Sequence, residues 1–156
     1  AEQGNSAGLS LLGECLYQGR GVPKSAAQAR KLWKAAAESG ETIALLNLGD
    51  DCAARGDNGK ALLWYRRARQ SAAAVPDIEY TPRVCLRLAQ YETRYTSRKK
   101  ALALAAEAKQ AFGIRARENE PDAAQWLAET EQLLQELTAP QPAAPAAYDM
   151  ESLQLD

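Results

Sequence analysis

LGECLYQGRGVPKSAAQARKLWKAAAESG, residues 12–40, carries two helical stripes separated by a turn. After Ser25 the apolar residues Ala29, Leu32, Trp33 and Ala36 fall at i, i+3, i+4 and i+7, the spacing that lays one apolar face along a helix. Gly40 stands where a left-handed C-terminal cap belongs. Upstream, Gly19-Arg20-Gly21-Val22-Pro23 forms the core of a turn that separates this helix from one running through Leu12 and Tyr17. The stretch predicts a helical hairpin.

The same pattern recurs along the chain. Leu12-Gly13 returns as Leu48-Gly49 and, weakened, as Leu88-Ala89. Each pair is followed by a second set with a constant spacing of four and then three: Ala29, Trp33, Ala36; Ala61, Tyr65, Ala68; Ala101, Ala105, Ala108. A glycine on one helix and an aromatic on the next are complementary in volume, so Gly13 with Trp33, and Gly49 with Tyr65, are expected where the two helices of each hairpin come closest. Residues Ala1–Gly4 read like Ala37–Gly40 and are expected to be the last half-turn of an earlier helix. On that reading Leu9, Leu12 and Leu16 present an apolar edge on which a preceding hairpin would stack.

Leu12-Gly13, Tyr17, Gly19-x-Gly21-Val22, Ala29, Trp33, Ala35-Ala36 and Gly40 together resemble a Sel1-like repeat. Leu48-Gly49, Gly56-Asp57, Lys60-Ala61, Trp64-Tyr65 and Ala68 are similar to the related tetratricopeptide repeat. The resemblance covers residues 1 to about 113 and implies an all-α, right-handed α-solenoid whose first helices line a concave groove, with scaffolding and partner binding as its function. The expected organisation is the end of a preceding repeat at 1–4, a Sel1-like repeat at 5–41, a tetratricopeptide-like repeat at 42–75, a degenerate repeat at 76–113, a capping helix within 114–138 and an extended tail at 139–156. Helices are expected at about 6–18, 25–39, 42–55, 58–73, 82–96, 98–112 and 121–138, with Asp57, Thr81 and Ser97 as N-caps, Gly56 as a stop, Pro82 at the first position of its helix, and Pro121 opening the last one.

Composition agrees with helices. Hydrophobic residues make up 46% of the chain and are mostly Ala and Leu, leaving little β-branched material for strands. The run Ala101–Ala106 falls far short of the roughly 18 apolar residues that span a bilayer. Cys15, Cys52 and Cys85 are widely spaced on expected helices and read as small buried thiols; without histidine or a CxxC pair, no metal or cofactor is expected. No nucleophile is set beside a base, Asp57-Asn58-Gly59-Lys60 is a helix-to-helix turn and not a phosphate cradle, and Asp50 and Asp51 diverge on their helix. An enzyme is not expected. The resemblance and the Ala- and Arg-rich composition point to the C-terminal part of a larger bacterial protein, with the periplasm or envelope favoured over the cytoplasm.

Charge is strongly segregated. Residues 1–54 hold 5 basic and 6 acidic side chains, residues 55–117 hold 14 and 5, and residues 118–156 hold none and 9, giving −1, +9 and −9. Arg83, Arg87, Arg94 and Arg98 repeat at four, seven and four, which places them with Tyr91 on one helical face. The resemblance sets Ile43, Leu46, Asn47 and Asp50, and in the next repeat Arg83, Arg87, Gln90 and Arg94, at first-helix positions that look into the groove. Asn47, Arg83 and Arg87 match the positions at which some tetratricopeptide domains clamp a terminal carboxylate; Ser10 and Glu14 depart from that pattern. The groove is therefore expected to take a protein or acidic peptide. Nucleic acid is disfavoured because the acidic end repels phosphate and no aromatic platform alternates with the arginines.

The tail adds a second element. A Pro/Ala-rich stretch from Thr138 to Ala147 favours an extended linker, and Tyr148, Met150, Leu153, Leu155 and Asp156 form an acidic, partly apolar motif expected to dock on a groove of its own chain or of another copy. A different reading makes the acidic segment 118–156 an inhibitory surface that blocks a basic partner enzyme. Self-association through the tail or the apolar edge at Leu12 is a further expectation.

Overall fold

The chain was described by a computed structural model, which covers the backbone of residues 2–74, 80–95 and 97–139 and the side chains of 6–74, 80–92 and 97–139. Among the described residues there are seven helices and no strand: α1 Glu2–Gln18, α2 Ala26–Glu38, α3 Thr42–Ala54, α4 Asn58–Ala74, α5 Thr81–Tyr95, α6 Arg98–Arg117 and α7 Ala123–Thr138. They form two compact units, the first carrying α1–α4 and the second α5–α7.

In the first unit α1 packs on α2, α2 on α3 and α3 on α4. The glycine and aromatic pairs sit where the volume argument puts them. Trp33 is 3% exposed and Tyr65 1%. A Cβ added at Gly13 would fall 2.5 Å from Trp33 Nε1, and one at Gly49 would fall 2.6 Å from Tyr65 Cδ1, well inside ordinary contact. Both rings also satisfy their polar atoms, as buried Trp and Tyr must. Trp33 Nε1–H donates to the Ser10 carbonyl at 3.2 Å, and the Tyr65 hydroxyl donates to Asp50 at 2.6 Å. Tyr17 lies beside Trp33 with ring centroids 5.2 Å apart.

Local signals set most helix ends. Ser25 and Ser97 accept N–H bonds from Gln28 and Lys100, and Asp57 accepts from the Lys60 N–H. Gly40 and Gly56 take φ of 75° and 84°, the left-handed conformation that lets the chain leave a helix and that only glycine adopts without strain. The Ser71 hydroxyl donates to the Gly40 carbonyl, fixing the first hairpin's end to α4.

Three boundaries differ from expectation. Helix α1 starts at Glu2, so residues 2–4 continue into the same helix as Leu12 and do not close an earlier one; no left-handed residue interrupts it, and Glu and Gln are good helix formers. Helix α6 passes through Gly113 to Arg117, because an interior glycine costs only about 1 kcal/mol and the chain turns at Asn119, whose φ of 58° supplies the left-handed residue. Helix α7 opens at Ala123 and not at Pro121, because Asp122 takes φ 64° and cannot be helical.

In the second unit α5 packs on α6 and α6 on α7. Leu86, Ala89, Ala101, Ala105, Ala108, Phe112, Leu133 and Leu137 form its core. Ala89 and Ala105 are both buried in this core, without the glycine and aromatic side chain that meet in each hairpin of the first unit. Arg98 is the first residue of α6 and so leaves the arginine face of α5; its guanidinium donates to the Leu137 and Ala139 carbonyls at 2.6 and 2.8 Å, satisfying the open C-terminal end of α7.

Candidate functional site

The residues expected to line a groove divide between the two units. In the first, Ile43 is 5% exposed and Leu46 0%, so these two belong to the core and offer no surface to a peptide. They were assigned outward by register, but α3 is packed by α2, α4 and α1, which leaves it too narrow a free face for them. Asn47 is half-buried and donates its amide to Glu14 at 3.2 Å, a bond from α3 back to α1. Asp50 is half-buried and receives the Tyr65 hydroxyl. Asn47 is thus occupied in tying α3 to α1 of the preceding hairpin, and Asp50 in tying α3 to α4 within its own.

In the second unit Arg83, Arg87 and Gln90 lie half-buried along α5. Residue Trp126 at the start of α7, which sequence reading passed over, organises them. The Arg83 guanidinium carbon sits 5.1 Å from the Trp126 ring centroid and 5.6 Å from that of Tyr80; the Arg87 carbon sits 5.6 Å from Trp126. Trp126 is in turn stacked on Phe112, with centroids 6.1 Å apart and planes 18° from parallel. Gln90 accepts a hydrogen bond from Arg87 at 3.1 Å. The Nε of Arg83 is buried and has no hydrogen-bond partner among the described residues. A buried donor in this condition costs about 1–3 kcal/mol. The Arg94 side chain and the whole tail motif, Tyr148, Met150, Leu153, Leu155 and Asp156, lie outside the described residues.

Of the carboxylate-clamp pattern, then, the structure brings Arg83 and Arg87 together over one indole, while Asn47 belongs to the other unit and is bonded to Glu14. Trp126 carried a weak signal: an indole beside Leu127 on a helix whose other large apolar residues are leucines. Nothing local announced that two arginines some forty positions earlier would lie over it.

The second unit also has an open groove of about 650 Å³ between α6 and α7, with Ala106, Gly113 and Leu127 among its walls and the Lys109–Glu131 ion pair, 3.9 Å, across it. Cys52 and Cys85 are buried and Cys15 half-buried, and none of the three is in a disulfide. Burial pushes the Cys52 thiol up, so it stays protonated at neutral pH. Among the described residues no cluster of His, Cys, Asp or Glu could hold a metal ion, and no helix is long and apolar enough to cross a membrane.

No family model matches the chain, and no curated protein matches it. Solved structures do. A Sel1 repeat protein from Oxalobacter formigenes aligns over 83% of this chain and 57% of its own, with a TM-score of 0.55 and 23% identity. The protein c5321, a protective antigen present in uropathogenic Escherichia coli strains and displaying an SLR fold, aligns over 84% of this chain and 30% of its own, with a TM-score of 0.54 and 20% identity. The chain thus spans less than two thirds of either structure, and what it shares with them is the fold: the helical hairpins of the Sel1-like, α-solenoid class.

Proposed function

We propose that this chain is a non-enzymatic protein-interaction module whose α5 face, built from Arg83, Arg87, Gln90 and Trp126, binds an acidic peptide segment of a protein partner. The observation that carries this reading is the pair of guanidiniums over one indole, with the buried Nε of Arg83 lacking an acceptor. Guanidinium planes held against an aromatic ring are ordered before a ligand arrives, so less rotamer entropy is lost when they grip a carboxylate. The bonds formed are charge-assisted, and arginine presents them in pairs. The fold favours the same reading, since stacked helical hairpins offer extended surfaces rather than an enclosed reaction site.

The test uses the full chain and fluorescein-labelled hexaglutamate, followed by anisotropy at low salt. Arg83→Ala with Arg87→Ala is expected to weaken binding at least about tenfold, the effect of losing one good charge-assisted contact. Lys99→Ala with Lys100→Ala removes the same charge from exposed positions of the same unit and is expected to change it little. Equal losses in the two variants would reduce the effect to overall charge and refute the site.

A further inference from the structure

The first unit contains a polar notch that no groove argument uses. It lies between α2, α3 and α4, has a volume of about 150 Å³, and has Arg30, Lys34, Arg55, Asp57, Lys60 and Trp64 among its walls. Behind it is Asp51, 3% exposed. One carboxylate oxygen of Asp51 accepts from Arg30 Nη1 at 3.3 Å; the other accepts from Arg55 Nε at 3.1 Å and lies 3.0 Å from Arg55 Nη2, which also donates to Cys52 Sγ at 3.7 Å. A buried carboxylate therefore fixes two guanidiniums whose side chains remain 31% and 55% exposed. Each guanidinium carries five N–H donors, more than Asp51 uses.

From these facts we infer that the notch is an oxyanion site that takes a single carboxylate side chain of an acidic peptide, as a second anchoring point for the partner. The charge around it favours an anion: Arg30, Lys34, Arg55 and Lys60 line the space, against Asp51, which both arginines share, and Asp57, whose Oδ1 caps α4 through the Lys60 N–H. Leu48 and the Trp64 ring supply low-dielectric walls that strengthen the field inside. Size sets the ligand. At about 30 Å³ per water, the notch holds the equivalent of about five waters, enough for a carboxylate and its hydration and too little for a nucleotide. Leu48 and Cys52, the α3 residues that line it, and Arg55 just past the end of α3 lie on a different side of the helix from Asn47 and Asp50, so the notch is independent of the bonds those two make.

The inference rests on the reading of the chain as a protein-interaction module, and its test separates the two sites by their tryptophans. The indole N–H cross-peaks of Trp33, Trp64 and Trp126, assigned by Trp→Phe variants, are followed in the full chain by heteronuclear NMR during titration with hexaglutamate. Saturable movement of the Trp64 peak is expected. Lys34→Glu with Lys60→Glu should weaken that response by about tenfold or more, while Lys99→Glu with Lys100→Glu, the same charge reversal in the other unit, should leave it in place. Should the double variant lose its helical circular dichroism, Lys34→Gln alone, at an exposed position of α2, is expected to weaken the response several-fold. A Trp64 peak that does not move, or that responds equally in both charge-reversed variants, overturns the notch. So does stronger movement by inorganic phosphate than by hexaglutamate at equal charge, which would assign it to a free oxyanion. Movement of Trp126 without Trp64 refutes the notch and leaves the α5 site standing; movement of Trp64 without Trp126 does the reverse.

Discussion

Replacing Gly49 by alanine should destabilise the first unit, although alanine is the better helix former. The added Cβ would lie 2.6 Å from Tyr65 Cδ1 and closer still to Cε1, where ordinary contact needs at least about 3.4 Å. The ring cannot step aside cheaply, because it is 1% exposed and its hydroxyl is held by Asp50. Overpacking of this kind costs about 1–3 kcal/mol, and pulling the hydroxyl off a charged acceptor adds about 1.5 kcal/mol. Against this, Gly→Ala in a helix interior gains about 1 kcal/mol. The expected net loss is about 1.5–3.5 kcal/mol, read from urea unfolding followed by circular dichroism. Gly8→Ala is the control, since nothing lies within 4 Å of a Cβ there; it should stabilise by about 0.5–1 kcal/mol. In the cycle with Tyr65→Leu, the double variant should lose less than the sum of the singles by about 1–2 kcal/mol. A Gly49→Ala protein as stable as the parent, or additive with Tyr65→Leu, would refute the close approach of α3 and α4 at this point.

Truncating the other aromatic, Trp33→Ala, should cost about 3–5 kcal/mol in the same assay, as a buried ring and its bond to the Ser10 carbonyl are lost together. Tyr17 should make stability fall at alkaline pH: burial first, and then the Asp51 charge, raise its pKa above 10.0, so the folded state holds the proton more tightly and the stabilisation, complete below the unfolded value, is lost as pH rises through the folded one. Tyr17→Phe should flatten the fall in urea midpoint between pH about 9 and about 11, and an unchanged slope would contradict the shift. Iodoacetamide at pH about 8, just under the ordinary thiol pKa, should modify half-buried Cys15 well before Cys52 and Cys85, as mass spectrometry of the intact chain followed by peptide mapping would show.

The hairpins were legible because their determinants are local or regularly spaced. Asp57 and Ser97 cap helices through bonds three residues long, and the spacing of Gly13, Trp33, Gly49 and Tyr65 encodes a fit that repeats with the fold. What sequence hid was either permissive or distant. Gly113 reads as a stop, yet a helix tolerates it when the next left-handed position is Asn119. The register that set Ile43 and Leu46 toward a groove fixed their helix correctly and their exposure wrongly, because exposure depends on how many neighbours α3 has. Asp50 and Asp51 read as a divergent acidic pair, and they do diverge, one to Tyr65 and the other to Arg30 and Arg55. That Asp51 would be buried with two arginines, and so shape a basic notch, follows from a contact with α2 across twenty-one positions.

The loss of the glycine–aromatic pattern in the third repeat and the appearance of an arginine face beside it have one physical cause. In the first two hairpins the large ring is consumed inside the pair, with Gly13 or Gly49 making room and a hydrogen bond holding it there. Between α5 and α6 the core positions are filled by Ala89 and Ala105, which need no ring, so the unit's aromatic mass is placed on the next layer, where Phe112 stacks on Trp126 of α7. Arg98 holds the far end of that helix through the Leu137 and Ala139 carbonyls. The capping helix thereby brings an indole within reach of α5, and Arg83 and Arg87 cover it. An arginine on a bare alanine-lined helix would be a mobile charge worth little in water; laid over a ring it becomes an oriented donor.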